Sequence, residues 1–164
     1  MTRASKAKGA DWKAVLFAWL VAGTLDITAA ITYYPLTAGV RVERLLQGIA
    51  SGVLGAAAFD GGVRTALLGL ALHYLIALIW TVIFFFAARR FPALVRHLAV
   101  AAIAYGAVVW TGMTLVVLPL SRVRRGPFNV AQAIIAAVIL MICIGLPFAG
   151  IVGRHVRAGV KIAA

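Results

Sequence analysis

Residues 65–87 read TALLGLALHYLIALIWTVIFFFA, twenty-three residues without Asp, Glu, Lys or Arg and with a single ionisable imidazole, His73. A transmembrane helix needs about 20 predominantly apolar residues, and this stretch supplies them without a break. Three more stretches match it in length and character, at 14–34, 98–120 and 130–152. The pattern predicts an all-α polytopic membrane protein with four transmembrane helices in one bundle.

Composition agrees. Of 164 residues, 64% are apolar and 12% charged, and the mean hydropathy is +1.05. A soluble domain carries roughly 25% charged residues, and one of this size cannot hide so much apolar surface. A cytosolic enzyme, a disordered tail and a disulfide-stapled secreted module are excluded. The one cysteine, Cys143, lies inside an apolar run and reads as a small packing residue.

The formal charge is +12, from sixteen Lys and Arg against four acidic residues. Nucleic-acid binding would gather the cations on one surface. Here they punctuate the apolar runs in five short groups, so they mark membrane ends and contact anionic headgroups. Arg3, Lys6, Lys8 and Lys13 precede the first run as in a signal peptide, but that run continues to Tyr34, too far for a signal's apolar region. Residues 1–13 and 153–164 read as basic cytoplasmic tails. Trp12, Tyr33 and Tyr34 flank the first span at interface positions. Arg89 and Arg90 close the second, before Phe91-Pro92.

Segment 41–59 differs from the spans. Val42, Leu45, Leu46, Ile49, Val53 and Leu54 recur at helical spacing, with Arg41, Arg44, Gln47 and Ser51 largely opposite. This is an amphipathic helix, suited to the interface or to the bundle surface. Gly48, Gly52 and Gly55 form a flat stripe, and Gly48, Gly52 and Gly69 are the expected helix-packing glycines. With four spans and an inside N-terminus, ten basic residues fall inside and six outside. A fifth span at 41–59 would make the sides equal, so the charge asymmetry favours four spans with both termini cytoplasmic.

Two ionisable residues lie deep in the runs, Asp26 and His73. A charged Asp at a helix centre costs about 3 kcal/mol on insertion scales, so such residues face the bundle and find partners. Asp26 shares its helix face with Ala18, Ala22, Ala29, Ala30 and Tyr33, while Phe17, Leu20, Val21 and Ile31 suit lipid. His73 lies between Gly69 and Ala77. Counted from Pro35 and Thr65, the two residues sit at matching depths of roughly 13 and 12 Å, which predicts an intramembrane Asp26–His73 pair. Thr111, Thr114 and, shallower, Gln132 reach a similar level. A buried pair of this kind fixes helix register or handles protons.

The remaining chemistry is sparse. Glu43 and Asp60 flank the amphipathic segment and are expected near its opposite ends, too far apart for acid–base work. His97 and His155 lie near the inner boundary, where a bis-histidine haem site is conceivable but headgroup contact is the simpler reading. Pro147 is expected to kink the fourth span, with no matching break elsewhere. Phosphate loops, dinucleotide fingerprints and nucleophile elbows are missing, so no catalytic residue, cofactor or metal site is expected.

From His73 onward the chain resembles the YagU-like family of small bacterial inner-membrane proteins, whose molecular function is not established. The resemblance rests on His73 with the apolar, aromatic run after it, Phe91-Pro92, Gly106 and Pro119-Leu120. It implies a multi-pass protein of a bacterial-type inner membrane and supplies no catalytic residue. The expected function is a non-enzymatic accessory or scaffolding subunit that packs with itself or with a larger membrane complex. The alternative is a small transporter or proton-conducting protein built on Asp26 and His73, with a membrane enzyme or haem-binding subunit as a third reading.

Overall fold

The chain folds into helices joined by short turns, with no strand among the described residues. A computed structural model describes residues 3–124, 126 and 129–156. Residues 1–2 and 157–164, the ends of the expected basic tails, lie outside that description, as do 125, 127 and 128. Helix α1 spans Arg3–Ala38, α2 Val42–Leu54, α3 Gly62–Arg90, α4 Leu98–Leu120 and α5 Val130–Val156. Four stretches are long and apolar enough to cross a membrane: Trp12–Ala38, α3, α4 and α5. This is the architecture of a multi-pass membrane protein.

Local signals set the ends. Helix α1 runs through Pro35 for one further turn, past the boundary expected at Tyr34, and stops where Gly39 takes φ +63° and its N–H reaches the Pro35 carbonyl at 3.1 Å. Glycine meets no Cβ penalty in that conformation. The Asn129 side chain accepts from the Gln132 N–H and caps α5. At the end of α3, Phe91 breaks the helix before Pro92.

The spans close a ring. Helix α1 packs on α3 and α5, α4 packs on α5, and α3 meets α4 through Trp80, Phe84 and Tyr105. One core lies toward the end opposite α2, with Val15, Ala18 and Ala22 of α1 against Phe84, Phe85 and Ala88 of α3. Ala101, Ala102, Tyr105 and Val109 of α4 meet Ile144, Phe148, Ala149 and Val152 of α5 in the same cluster. Lipid is as apolar as leucine, so close van der Waals packing, rather than escape from water, holds these helices together. Small residues permit it. A Cβ on Gly106 would meet Met141 backbone, and one on Gly145 would run into the Ala102 carbonyl. The outward residues, among them Phe17, Leu75, Ile79, Ile103 and Ile142, are large and apolar.

Two prolines reshape the spans. Expected to kink α5, Pro147 sits between π-helical turns at Met141–Gly145 and Phe148–Val152. Contrary to the expectation of a lone break, α4 carries a matching π turn at Met113–Val117, just before Pro119. Proline supplies no N–H and crowds the carbonyl four residues back, and a widened turn relieves that crowding.

Helix α2 lies on the bundle, packed on α3, with Leu45, Leu46 and Ile49 half-buried and Arg41 and Arg44 exposed, but its most buried residues are not its apolar stripe. Gln47, Ala50 and Ser51 are buried, whereas Val42, Val53 and Leu54 are exposed. The reason is polar satisfaction: the Gln47 amide donates to the Gly62 carbonyl at 3.1 Å and the Ser51 hydroxyl to Gly48 at 2.7 Å. Beside hydrocarbon, unpaired polar groups cost more than exposed valines do. Gly69 lets α3 approach closely, since a Cβ there would strike the Leu46 carbonyl. The other two expected packing glycines do not touch a helix. Gly52 faces Ser121 and Val123 of the α4–α5 connection, and a Cβ on Gly48 meets nothing within 4 Å.

Candidate functional site

The polar groups of the membrane interior gather on the seam between α1 and α3. On α1, Trp19, Gly23 and Asp26 fall within about 60° of one another at 100° per residue, forming a stripe. On α3, His73 and Tyr74 are adjacent and half-buried. The Trp19 indole N–H donates to the Tyr74 carbonyl at 2.7 Å, and the Tyr74 and Thr24 hydroxyls are 2.9 Å apart. The Trp19 and Tyr74 rings meet edge to face at 6.0 Å. A Cβ on Gly23 would stand 3.0 Å from the Tyr74 ring, so the bare backbone there seats the ring.

His73 joins the two helices directly. Its Nε2 lies 2.9 Å from the Gly23 carbonyl, and its Nδ1 lies 4.0 Å from Asp26 Oδ2. A carbonyl oxygen only accepts, so Nε2 carries a hydrogen. Nδ1 then faces the Asp26 carboxyl. At 4.0 Å the contact is electrostatic and too long for a hydrogen bond. The side chains are 13% and 20% exposed, so the surroundings screen the pair weakly. Chemically, the arrangement can hold α1 against α3, and it pairs the two side-chain types that intramembrane proton relays are built from.

No protein-family profile, curated protein or solved structure matches this chain.

Other residues named from sequence lie elsewhere. Thr111 and Gln132 are exposed and Thr114 is half-buried, and none contacts the pair. His97 is exposed at the start of α4. Among the described residues no three of His, Cys, Asp and Glu assemble where they would hold a metal. Glu43 and Asp60, expected at opposite ends of 41–59, line one cavity of about 290 Å³ with Arg41 and Arg44. The turn Gly55–Phe59 folds the chain back, and the Arg44 guanidinium, stacked on Phe59, donates to the Phe59 carbonyl at 3.0 Å. Arg41 meets Glu43 at 3.8 Å.

Sequence reading missed Trp19, Gly23, Thr24 and Tyr74. The signal was present: Trp19 precedes Asp26 by seven residues, two helical turns, and therefore shares its face.

Proposed function

We propose that this chain is a non-enzymatic accessory or scaffolding subunit of a bacterial-type inner membrane, with both termini cytoplasmic, that packs with itself or with a larger membrane complex. One observation carries the reading: the buried polar side-chain atoms of the described residues all have hydrogen-bond partners within the protein. Across two helices, His73 engages Gly23 and Asp26, Trp19 and Thr24 engage Tyr74, and the Tyr105 hydroxyl engages the Trp80 carbonyl; within α3, Thr81 donates to Ala77. The contacts across two helices fix which helices meet, leaving apolar faces for lipid or for neighbouring proteins. The ten-to-six distribution of basic residues supports the orientation. The resemblance to YagU-like proteins, a multi-pass family with no assigned chemistry, supports it too. Affinity purification from native membranes in mild detergent tests the proposal. A partner or second copy in fixed stoichiometry is expected, surviving Asp26→Asn; a solitary monomer at every detergent concentration refutes it.

A second reading is a proton-conducting protein or small transporter, favoured by the Nδ1 atom facing a carboxyl while Nε2 is held by Gly23. Acidification of reconstituted vesicles under an imposed potential is its test. Flux lost in both Asp26→Asn and His73→Ala supports it, and wild-type flux equal to that of empty liposomes discards it.

A further inference from the structure

The α2 end of the bundle holds a second cavity, about 360 Å³, between α2 and the connection that follows α4. Apart from the Ser51 hydroxyl, which is spent on the Gly48 carbonyl, its uncharged lining is apolar: Gly48, Gly55, Ala56, Phe59 and Val123. Two cations, Arg122 and Arg124, stand at its edge. The connection is fixed against the helix, because the Arg122 N–H donates to the Gly52 carbonyl at 2.9 Å and Gly52 packs on Ser121 and Val123. The trough is therefore built by backbone contact, and its volume is within the range of small ligand sites.

The arginines that line the two cavities of this end divide into two kinds. Arg41 is paired with Glu43, and Arg44 is tied to the Phe59 carbonyl and ring. Arg122 and Arg124 are exposed, and no carboxylate of the described residues lies within 4.0 Å of either guanidinium. Two uncompensated guanidiniums on a mostly apolar trough match a ligand with an anionic head and a hydrocarbon tail.

We propose that this trough is an anionic-phospholipid site: the phosphate lies on Arg122 and Arg124, and the start of an acyl chain lies along Gly48, Ala56 and Phe59. Gly48 has a role here that helix packing does not give it. With nothing within 4 Å of its Cβ position, the missing side chain leaves room for the tail.

The full-length protein in detergent, titrated with phosphatidylglycerol, phosphatidylcholine or glycerol 3-phosphate and followed by native mass spectrometry, tests this. Phosphatidylglycerol should bind about thirtyfold more tightly than phosphatidylcholine, from roughly fivefold for each basic residue. Replacing Arg122→Gln and Arg124→Gln together should abolish the preference, whereas Arg122→Lys with Arg124→Lys should keep most of it. Gly48→Leu, which fills the trough and favours helix, should weaken phosphatidylglycerol at least fivefold without changing the circular dichroism. Equal binding of the two lipids by wild type overturns the proposal. So does a preference that survives both the glutamine pair and Gly48→Leu. Glycerol 3-phosphate competing as well as the lipid would make this a phosphate site without a tail. A lipid-free dimer closing the trough would likewise refute it.

Discussion

The α1–α3 and α4–α5 seams each join two antiparallel helices of the same bundle, and they do so by opposite means. Along α1 and α3, the contact runs through Trp19, Gly23, Thr24, Asp26, His73 and Tyr74, with directed polar bonds from side chains to backbone carbonyls and one between hydroxyls. Along α4 and α5, Gly106 lies on Met141 and Gly145 on Ala102, backbone against side chain or backbone. The first seam tolerates small shifts, because polar side chains can rotate and keep their partners. The second meets backbone at both of its closest points, on Met141 and on the Ala102 carbonyl, and backbone cannot rotate away. Energetically this reverses intuition: in a membrane, the conspicuous polar pair is the weaker restraint, and the plain glycines are the stronger one.

The largest effects are therefore expected at the glycines. In Gly145→Ala the new Cβ would stand 2.8 Å from the Ala102 carbonyl carbon, and in Gly106→Ala 2.8 Å from the Met141 nitrogen. The helix-propensity gain of about 1 kcal/mol is smaller than the cost of prising two backbones apart, about 3 kcal/mol for overpacking. Thermal unfolding in detergent should report a net loss near 2 kcal/mol for each. The control is Gly48→Ala, where the same methyl meets nothing and unfolding should shift slightly upward. A Gly145→Ala protein as stable as wild type would erase the contrast between the seams.

Gly69→Ala carries the contrast to α2. Its Cβ would lie 2.8 Å from the Leu46 carbonyl carbon and 3.3 Å from the Ala50 nitrogen. Only the short helix need move, so the loss is local, about 1–2 kcal/mol. Protease should cut within 39–61 faster in the variant, while the unfolding midpoint of the four spans changes little. Equal cleavage rates would mean that α2 is held chiefly by Gln47 and Arg44.

At the polar seam, a double-mutant cycle with Asp26→Asn and His73→Ala isolates the pair. Couplings between polar side chains in membrane proteins average about 0.6 kcal/mol and reach about 1.7. A value at or below that average, about 0.6 kcal/mol, is expected here, since the pair stands at 4.0 Å and the cycle cancels the His73–Gly23 contact. A coupling above that of either glycine substitution would invert the ranking, and a coupling of zero would leave Asp26 and His73 as neighbours only.

These regions were unequally legible in the sequence. The four spans follow from unbroken apolar length, because the bilayer sets one number that any span must meet. The Asp26–His73 juxtaposition follows from depth, counted along two helices joined by one connection. What sequence could not supply was rotation. Seen alone, α2 shows an apolar stripe with Gln47 and Ser51 largely opposite; α3 brings the Gly62 carbonyl to Gln47, which is buried while Val42, Val53 and Leu54 of the stripe stay exposed. Glu43 and Asp60 are far apart along the chain, and only the turn at Gly55–Phe59 places them on one cavity. The π turn in α4 was likewise hidden, since Pro119 sits so close to the helix end that it reads as a terminator.

The smallest expected effect separates a ring from its hydroxyl. Tyr74→Phe keeps the aromatic edge on Trp19 and the backbone carbonyl that receives the indole N–H, and removes only the 2.9 Å contact with Thr24. Thr24 is exposed, and a threonine hydroxyl in a helix has an alternative acceptor in the carbonyl four residues back, as Thr28 has for Thr32 in the same helix. The loss should then be about 0.5 kcal/mol, the low end for a hydrogen bond. Trp19→Phe, which keeps a ring but leaves the Tyr74 carbonyl without its indole donor, should cost more than Tyr74→Phe in the same unfolding assay. If the order reversed, the seam would be organised around the Thr24–Tyr74 hydroxyls rather than around the indole, and the stripe from Trp19 to Asp26 would lose its anchor.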